Sequence, residues 1–158
     1  MNLILWRHAE AEDLPAAMSL SRNADLQRVL TSRGHKQAEA SAKWLRNHLP
    51  TPYRVVCSPA VRARETAAAL SGEVEILPAL GTGAHVSEVL DAVGWPDADG
   101  TVVVVGHQPW LGRVASRLLA GRDIPWSVRK SGVWWLTGRT RDDDAQVVLR
   151  AVIHPDFL

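Results

Sequence analysis

A chain of 158 residues has the size of one domain with a full core, and a hydrophobic share of 46% with 22% charged residues is that of an ordinary globular protein. The formal net charge of +1 argues against a dedicated nucleic-acid surface, and one cysteine, Cys57, excludes an internal disulfide framework and a zinc ribbon. No apolar run has membrane-spanning length or the basic flank of a secretory leader, so the expectation is a soluble, cytoplasmic protein.

The first element is the run "NLILW" (Asn2 to Trp6), a strand that stops on Arg7-His8. Thr31 is placed to cap a helix that carries Ala38, Ala42, Leu45 and Leu49 on one face and ends at Pro50. "YRVVC" (Tyr53 to Cys57) reads as the second strand. Ser58-Pro59 then reads as a helix start, serine capping and proline in the first turn, ahead of "AVRARETAAAL". "TVVVVG" (Thr101 to Gly106) has the β-branched run of a central strand buried on both faces. Pro109 opens the helical segment "WLGRVASRLLA", and Gly121 closes it. "GVWWLT" (Gly132 to Thr137) and "QVVLRAVI" (Gln146 to Ile153), joined by "GRTRDDDA", read as an antiparallel hairpin.

Strands alternating with helices predict an α/β fold, a three-layer α/β/α sandwich with a mostly parallel central sheet and an antiparallel C-terminal hairpin. Ligands of such sheets gather at the carboxyl ends of the strands. Those ends carry Arg7-His8, Arg62 shortly after the second strand, and Gly106-His107. Guanidinium groups bind phosphate oxygens through paired, charge-assisted hydrogen bonds. One histidine can attack phosphorus and divide a hard displacement into two, while a second steadies an equatorial oxygen. Phosphoryl transfer is the chemistry this set suits, with cationic side chains doing what a metal does elsewhere, so no metal or other cofactor is expected.

The stretches "LILWRHAEAED", "VLTSRGHKQAEASAKWL", "VVCSPAVRARETA" and "VVVVGHQPWLG", in this order, resemble the successive motifs of the histidine phosphatase superfamily. The short length and the compact "SPAVRARETA" segment are most similar to its SixA-type phosphohistidine phosphatase branch. The resemblance implies a phosphoglycerate mutase-like fold in one domain over residues 1–158, with His8 as nucleophile flanked by Arg7. It makes Arg62 the second phosphate arginine, His107 the second histidine and Arg28 a substrate-binding position. A short chain without a capping insertion leaves an open site, which a protein loop enters more readily than a small metabolite is held. The expected partner is therefore a phosphorylated protein carrying phosphohistidine, with a small phosphorylated substrate as the alternative. Neither nucleic acid nor membrane is expected, and the open site predicts a monomer.

The departures from the family pattern bear on the chemistry. Ala9 stands where many members have glycine, and Val29 where proline is frequent. The acid-phosphatase branch has its general-acid aspartate directly after the second histidine; here that residue is Gln108. The mutase-like branch supplies a glutamate after its second strand, but "LPALGTGAHVSE" offers only His85 and Glu88, neither in register. An alkoxide leaving group benefits from a proton donor by roughly a hundred- to ten-thousand-fold. A phosphoramidate nitrogen can carry its own proton, so a site lacking an acid is matched to P–N cleavage. Glu10, Glu12, Asp13 and His85 are the candidate donors for the second reading, a broad or small-molecule phosphomonoesterase. A phosphoryl-binding module without turnover is the third. Cys57 stands one residue too close to Arg62 for the loop of cysteine-dependent phosphatases and reads as a small core residue.

Overall fold

The first strand, β1 (Asn2–Arg7), sends Leu3 and Leu5 to one face of a sheet and Ile4 and Trp6 to the other, all four fully buried. This alternation divides the core in two. Residues 1–158 are described by the computed structural model. On the Ile4/Trp6 side, α2 (Ser32–His48) contributes Ala38, Ala42 and Leu45, and α3 (Val61–Ala68) contributes Ala63 and Ala67. On the other side, α4 (Val86–Val93) and α5 (Trp110–Ala120) supply Val89, Val93, Leu111 and Val114. Between them lies β4 (Thr101–Gly106), buried along its whole length, with Val103 and Val105 in one core and Val102 and Val104 in the other. Full burial of each such aliphatic side chain contributes about 1.5–3 kcal/mol.

The sheet is completed by β2 (Tyr53–Cys57), β3 (Glu75–Ile76), β5 (Val133–Arg141) and β6 (Asp144–Ile153), in the order β3-β2-β4-β1-β5-β6. The first four run parallel and the last two antiparallel. This is the sandwich and hairpin expected from the sequence. The parallel register matters most for function: Arg7 of β1 lies opposite Gly106 of β4, and Cys57 of β2 opposite Val105. The next residues, His8, His107 and Ser58, therefore leave the sheet side by side. The His8 N–H donates to the Gly106 carbonyl at 3.0 Å, and the Ser58 N–H to the Val105 carbonyl at 3.1 Å.

Several local signals act as read. Thr31 caps α2, its Oγ1 accepting the Gly34 N–H at 2.9 Å. A Cβ on Gly34 would overlap the Glu10 carbonyl, so the first turn of α2 packs directly on the segment that follows His8. Gly121 closes α5 in the left-handed conformation at φ 67°.

Other expectations are corrected. Ser58 does not cap α3; the helix starts at Val61 with Ala60 as its N-cap, because the Ser58 hydroxyl is drawn into the site described below. The hairpin strands run through most of "GRTRDDDA", turning only at Asp142-Asp143. Both of these residues have positive φ, and aspartate tolerates the twist that a two-residue turn needs. Three elements carried no signal strong enough to be read. β3 is two residues long, α1 (Arg22–Leu26) is a little over one turn, and α4 lies within the stretch scanned for an acid. No helix is long and apolar enough to cross a membrane.

Candidate active site

His8 and His107 face each other at the carboxyl ends of β1 and β4, ring centroids 5.2 Å apart, both nearly inaccessible. Each ring is fixed through one nitrogen. His8 Nδ1 lies 2.8 Å from the Ala9 carbonyl, which can only accept, so the proton sits on Nδ1 and the lone pair on Nε2. Ala9 is held in turn by Thr66, whose Oγ1 accepts the Ala9 N–H at 3.0 Å and donates to the Arg62 carbonyl at 2.7 Å.

His107 is fixed the other way round. Its Nε2 lies 2.7 Å from Ser58 Oγ, which also accepts the Ala60 N–H at 3.2 Å. Ser58 is fully buried, and His107 Nε2 is the acceptor within reach of its hydroxyl hydrogen. The serine therefore donates, and the His107 proton sits on Nδ1. That atom is buried without a partner. A buried N–H left open beside a second histidine is a donor waiting for an acceptor, and an equatorial phosphoryl oxygen fits that place.

Both rings are neutral. Burial, together with the charges of His107, Arg62 and Arg7, lowers His8 to about 2, although its backbone bond to Ala9 acts in the opposite sense. Burial and then Arg62, with smaller contributions from Arg7 and Arg28, lower His107 to about 3 against the opposing charge of Asp25. A neutral His8 keeps the lone pair that a nucleophile needs.

The arginines complete the cluster. Arg7 Nη1 donates to the Val128 carbonyl at 2.9 Å. Arg62, with 5% of its side chain exposed, donates from Nη1 to the Asp25 carbonyl at 2.8 Å and from Nη2 to Asp25 Oδ2 at 3.2 Å. In both residues Nε is buried without a partner. Arg7, Arg62 and His107 thus each keep one unpartnered buried donor, and all three act on His8, whose Nε2 holds the lone pair. Donors and a lone pair in one cluster suit a phosphoryl group.

Arg28 reaches the cluster at one remove. Its Nη1 donates to Asp25 Oδ1 at 3.2 Å and its Nε to the Glu12 carbonyl at 2.7 Å, so it acts on Arg62 through their shared carboxylate. The proton-donor candidates are dispersed. Glu10 accepts from Thr31 Oγ1 at 2.9 Å and pairs with Arg33 at 3.6 Å. Glu12 and Asp13 are exposed, and His85 forms the capping box of α4 with Glu88. Gln108 uses both ends of its amide on backbone, donating to the Trp126 carbonyl at 2.6 Å and accepting the Gly112 N–H at 2.9 Å. Burial pushes the Cys57 thiol up to about 11, the state of an inert core cysteine.

Sequence reasoning missed two residues. Asp25 was invisible because its position in a short helix after a polar stretch carries no periodic signal. Ser58 was noticed only as a cap. Its place directly after a strand end, level with His8 and His107, was the available clue.

The model of the histidine phosphatase superfamily (branch 1) matches residues 3–82. The phosphohistidine phosphatase SixA homolog of Haemophilus influenzae is 31% identical over 138 residues, covering 78% of this chain and 80% of that protein. A structure from Nakamurella multipartita named for SixA matches at a TM-score of 0.73 and 35% identity, over 98% of this chain and 95% of that one. The tungstate complex of the protein histidine phosphatase SixA has the same fold, at a TM-score of 0.80, 23% identity and 99% coverage of both chains. With its matched motifs, its sheet order and its strand-end histidines, the chain belongs to branch 1 of the histidine phosphatase superfamily, in the SixA-type group, and is a phosphatase.

Proposed function

We propose that the protein removes phosphate from phosphohistidine in proteins, through a covalent phosphohistidine on its own His8. His8 Nε2 attacks phosphorus in line while Nδ1–H keeps its bond to Ala9. The Nε–H groups of Arg7 and Arg62 and the Nδ1–H of His107 hold the equatorial oxygens. A substrate phosphohistidine that carries a proton on its second ring nitrogen leaves as neutral imidazole. His8 then carries the phosphoryl group on Nε2 and its original proton on Nδ1. One imidazole has replaced another, and no acid has acted. Water next attacks phosphorus, the P–N bond electrons return to His8 Nε2, and dihydrogen phosphate departs. His8 is regenerated as the same neutral tautomer.

The observation that carries this reading is geometric: Gln108, directly after the second histidine, has both ends of its amide on backbone, and Asp25, the carboxylate joined to the arginine clamp, takes hydrogen bonds from Arg28 and Arg62. Burial works against its charge, but hydrogen bonds from Arg28 and Arg62 prevail and hold it below the usual carboxylate range. An ionised Asp25 has no proton to give an alkoxide, whereas the imidazole exchange asks for none.

The test compares phosphate release from a phosphohistidine-bearing protein and from an alkyl phosphate monoester, with wild type and His8→Ala. The expected result is preference for the P–N substrate by at least about a hundredfold, the size of a missing acid. Loss of activity in His8→Ala and an acid-labile phosphoryl adduct on wild-type His8 complete the expectation. Equal or faster cleavage of the ester would establish a proton donor and a phosphomonoesterase. Binding without release of phosphate from either substrate would leave a phosphoryl-binding module.

A further inference from the structure

Arg7, the neighbour of His8, forms part of the wall of an open cleft of about 350 Å³ with no apolar residue in its lining. Its walls carry Arg7, Arg33, Arg129 and Lys130 against two acids, Glu10 and Asp156. Each acid has a partner, of which only Arg33 carries a fixed charge. Glu10 accepts from Thr31 and pairs with Arg33, and Asp156 lies 3.4 Å from His154 Nδ1. Arg129 has His154 Nε2, at 3.3 Å, as its side-chain partner and touches no carboxylate; Lys130 forms no ion pair. The whole chain has a formal net charge of +1, so two uncompensated cations in one concave place represent a local concentration of charge.

The cleft is tied to the catalytic cluster by covalent neighbours. Arg7 borders it and directly precedes His8. Arg129 and Lys130 lie between Val128, whose carbonyl anchors Arg7, and Ser131. Ser131 donates its N–H to the His8 carbonyl at 3.2 Å. A group lodged in this cleft therefore lies against the segment that anchors Arg7 and His8. A cleft that is polar throughout does not favour an apolar side chain, while guanidinium and ammonium groups without carboxylate partners favour an oxyanion.

We propose that this cleft is a specificity subsite for an acidic side chain close to the phosphohistidine of the polypeptide substrate, with Arg129 and Lys130 as its principal contacts. This rests on the phosphohistidine reading given above. An aspartate or glutamate flanking the phosphorylated residue enters the cleft as the phosphoryl group meets His8. Substrates are thus ranked by the charge next to the modified histidine. Because both cations are exposed, the preference is screened by salt.

The experiment uses two phosphohistidine peptides, identical except for glutamates or glutamines flanking the modified residue on both sides, with inorganic phosphoramidate as a third substrate. Wild type is compared with the Arg129→Ala/Lys130→Ala double variant. Wild type is expected to favour the acidic peptide about fivefold or more in kcat/KM, carried by KM, the scale of one or two exposed ion pairs. In the variant the ratio between the peptides falls to near one. The same ratio is read independently of turnover from the affinities of both peptides for the His8→Ala protein, with and without the double substitution. Absence of an acidic preference in wild type, or its survival in the double variant, overturns the subsite. If wild type cleaves neither peptide nor phosphoramidate, the phosphohistidine reading fails, and the binding ratio alone then decides the subsite. A preference of equal size for a small molecule carrying a second phosphate, lost in the same variant, would reassign the cleft to a small anionic substrate.

Discussion

The two arginines that flank the histidine pair are held in opposite ways. Arg62 has both terminal nitrogens on Asp25, one on its carbonyl and one on its carboxylate, and Arg28 shares that carboxylate. Arg7 has a backbone carbonyl as its anchor, and the charges that act on it, after burial, are those of Arg129 and Arg62. Each arginine keeps one buried Nε–H without a partner. The Asp25 side fixes geometry and largely cancels its own charge. The Arg7 side leaves its charge uncancelled and continues it into the polar cleft. On the proposed mechanism, a phosphoryl group meets a rigid donor from one side and net attraction from the other.

The sharpest way to break this comparison is to remove each arginine in turn. Arg7→Ala is expected to lower kcat/KM about a hundredfold, the loss of one preorganised donor. Arg62→Ala is expected to lower it about a thousandfold, because it also removes one of the two arginines that neutralise Asp25, leaving that carboxylate to Arg28 alone. Adding Asp25→Asn to Arg62→Ala should therefore recover activity about tenfold. Steady-state kinetics on the three variants checks the order. A larger loss at Arg7, or no recovery from the second substitution, would show that the two sides do not differ as described.

A smaller effect is expected at the donor between them. Ser58→Ala frees His107 Nε2 and with it the tautomer that presents Nδ1–H. The expectation is a loss of about ten- to a hundredfold in kcat with KM little changed, and a shift in the ¹⁵N tautomer signature of His107. An unchanged NMR signature would mean that Ser58 does not set the proton.

A separate effect is on stability. His8 and His107 have folded-state values of about 2 and about 3, far below the ordinary 6.5. Between those limits the unfolded chain binds more protons than the folded one. Stability is therefore greatest above about pH 6.5 and falls as the solution is acidified, by up to about 1.4 kcal/mol per pH unit for each histidine. Urea titrations from pH 7 to pH 5 should record this slope, and His8→Gln should remove about half of the share due to the pair. A slope unaffected by the substitution would mean that His8 is not held neutral.

How much of the site could be read in the chain depends on the kind of contact. His8, Arg7 and His107 adjoin runs whose β-branched or aliphatic composition marks them as strands, and strand ends are where ligands gather in such sheets. Arg62 follows the third such end. These four were legible, and the structure brings them together. Arg28 was read as a substrate contact, and the structure puts Asp25 between it and Arg62. Trp110, at the start of α5, could face either the core or the cleft as far as its position in the sequence tells. The structure buries it, with Nε1 donating to the Gly81 carbonyl at 3.0 Å and its ring against Gly106, where a Cβ would collide with it.

Local composition by itself determined the alternation of strands and helices, the caps at Thr31 and Gly121, and the supply of histidines and arginines at strand ends. Each depends on backbone preference or on side-chain period within a few residues. Only the tertiary structure decided that Arg7 lies opposite Gly106, that Ser58 meets His107 Nε2, that Asp25 restrains Arg62, and that Arg129 and Lys130 stand without carboxylate partners beside Arg7. These are pairings across 37 residues of chain or more, such as Arg62 with Asp25 and Arg7 with Val128. No periodicity records them, because the register of the sheet and the closing of its loops bring such residues together.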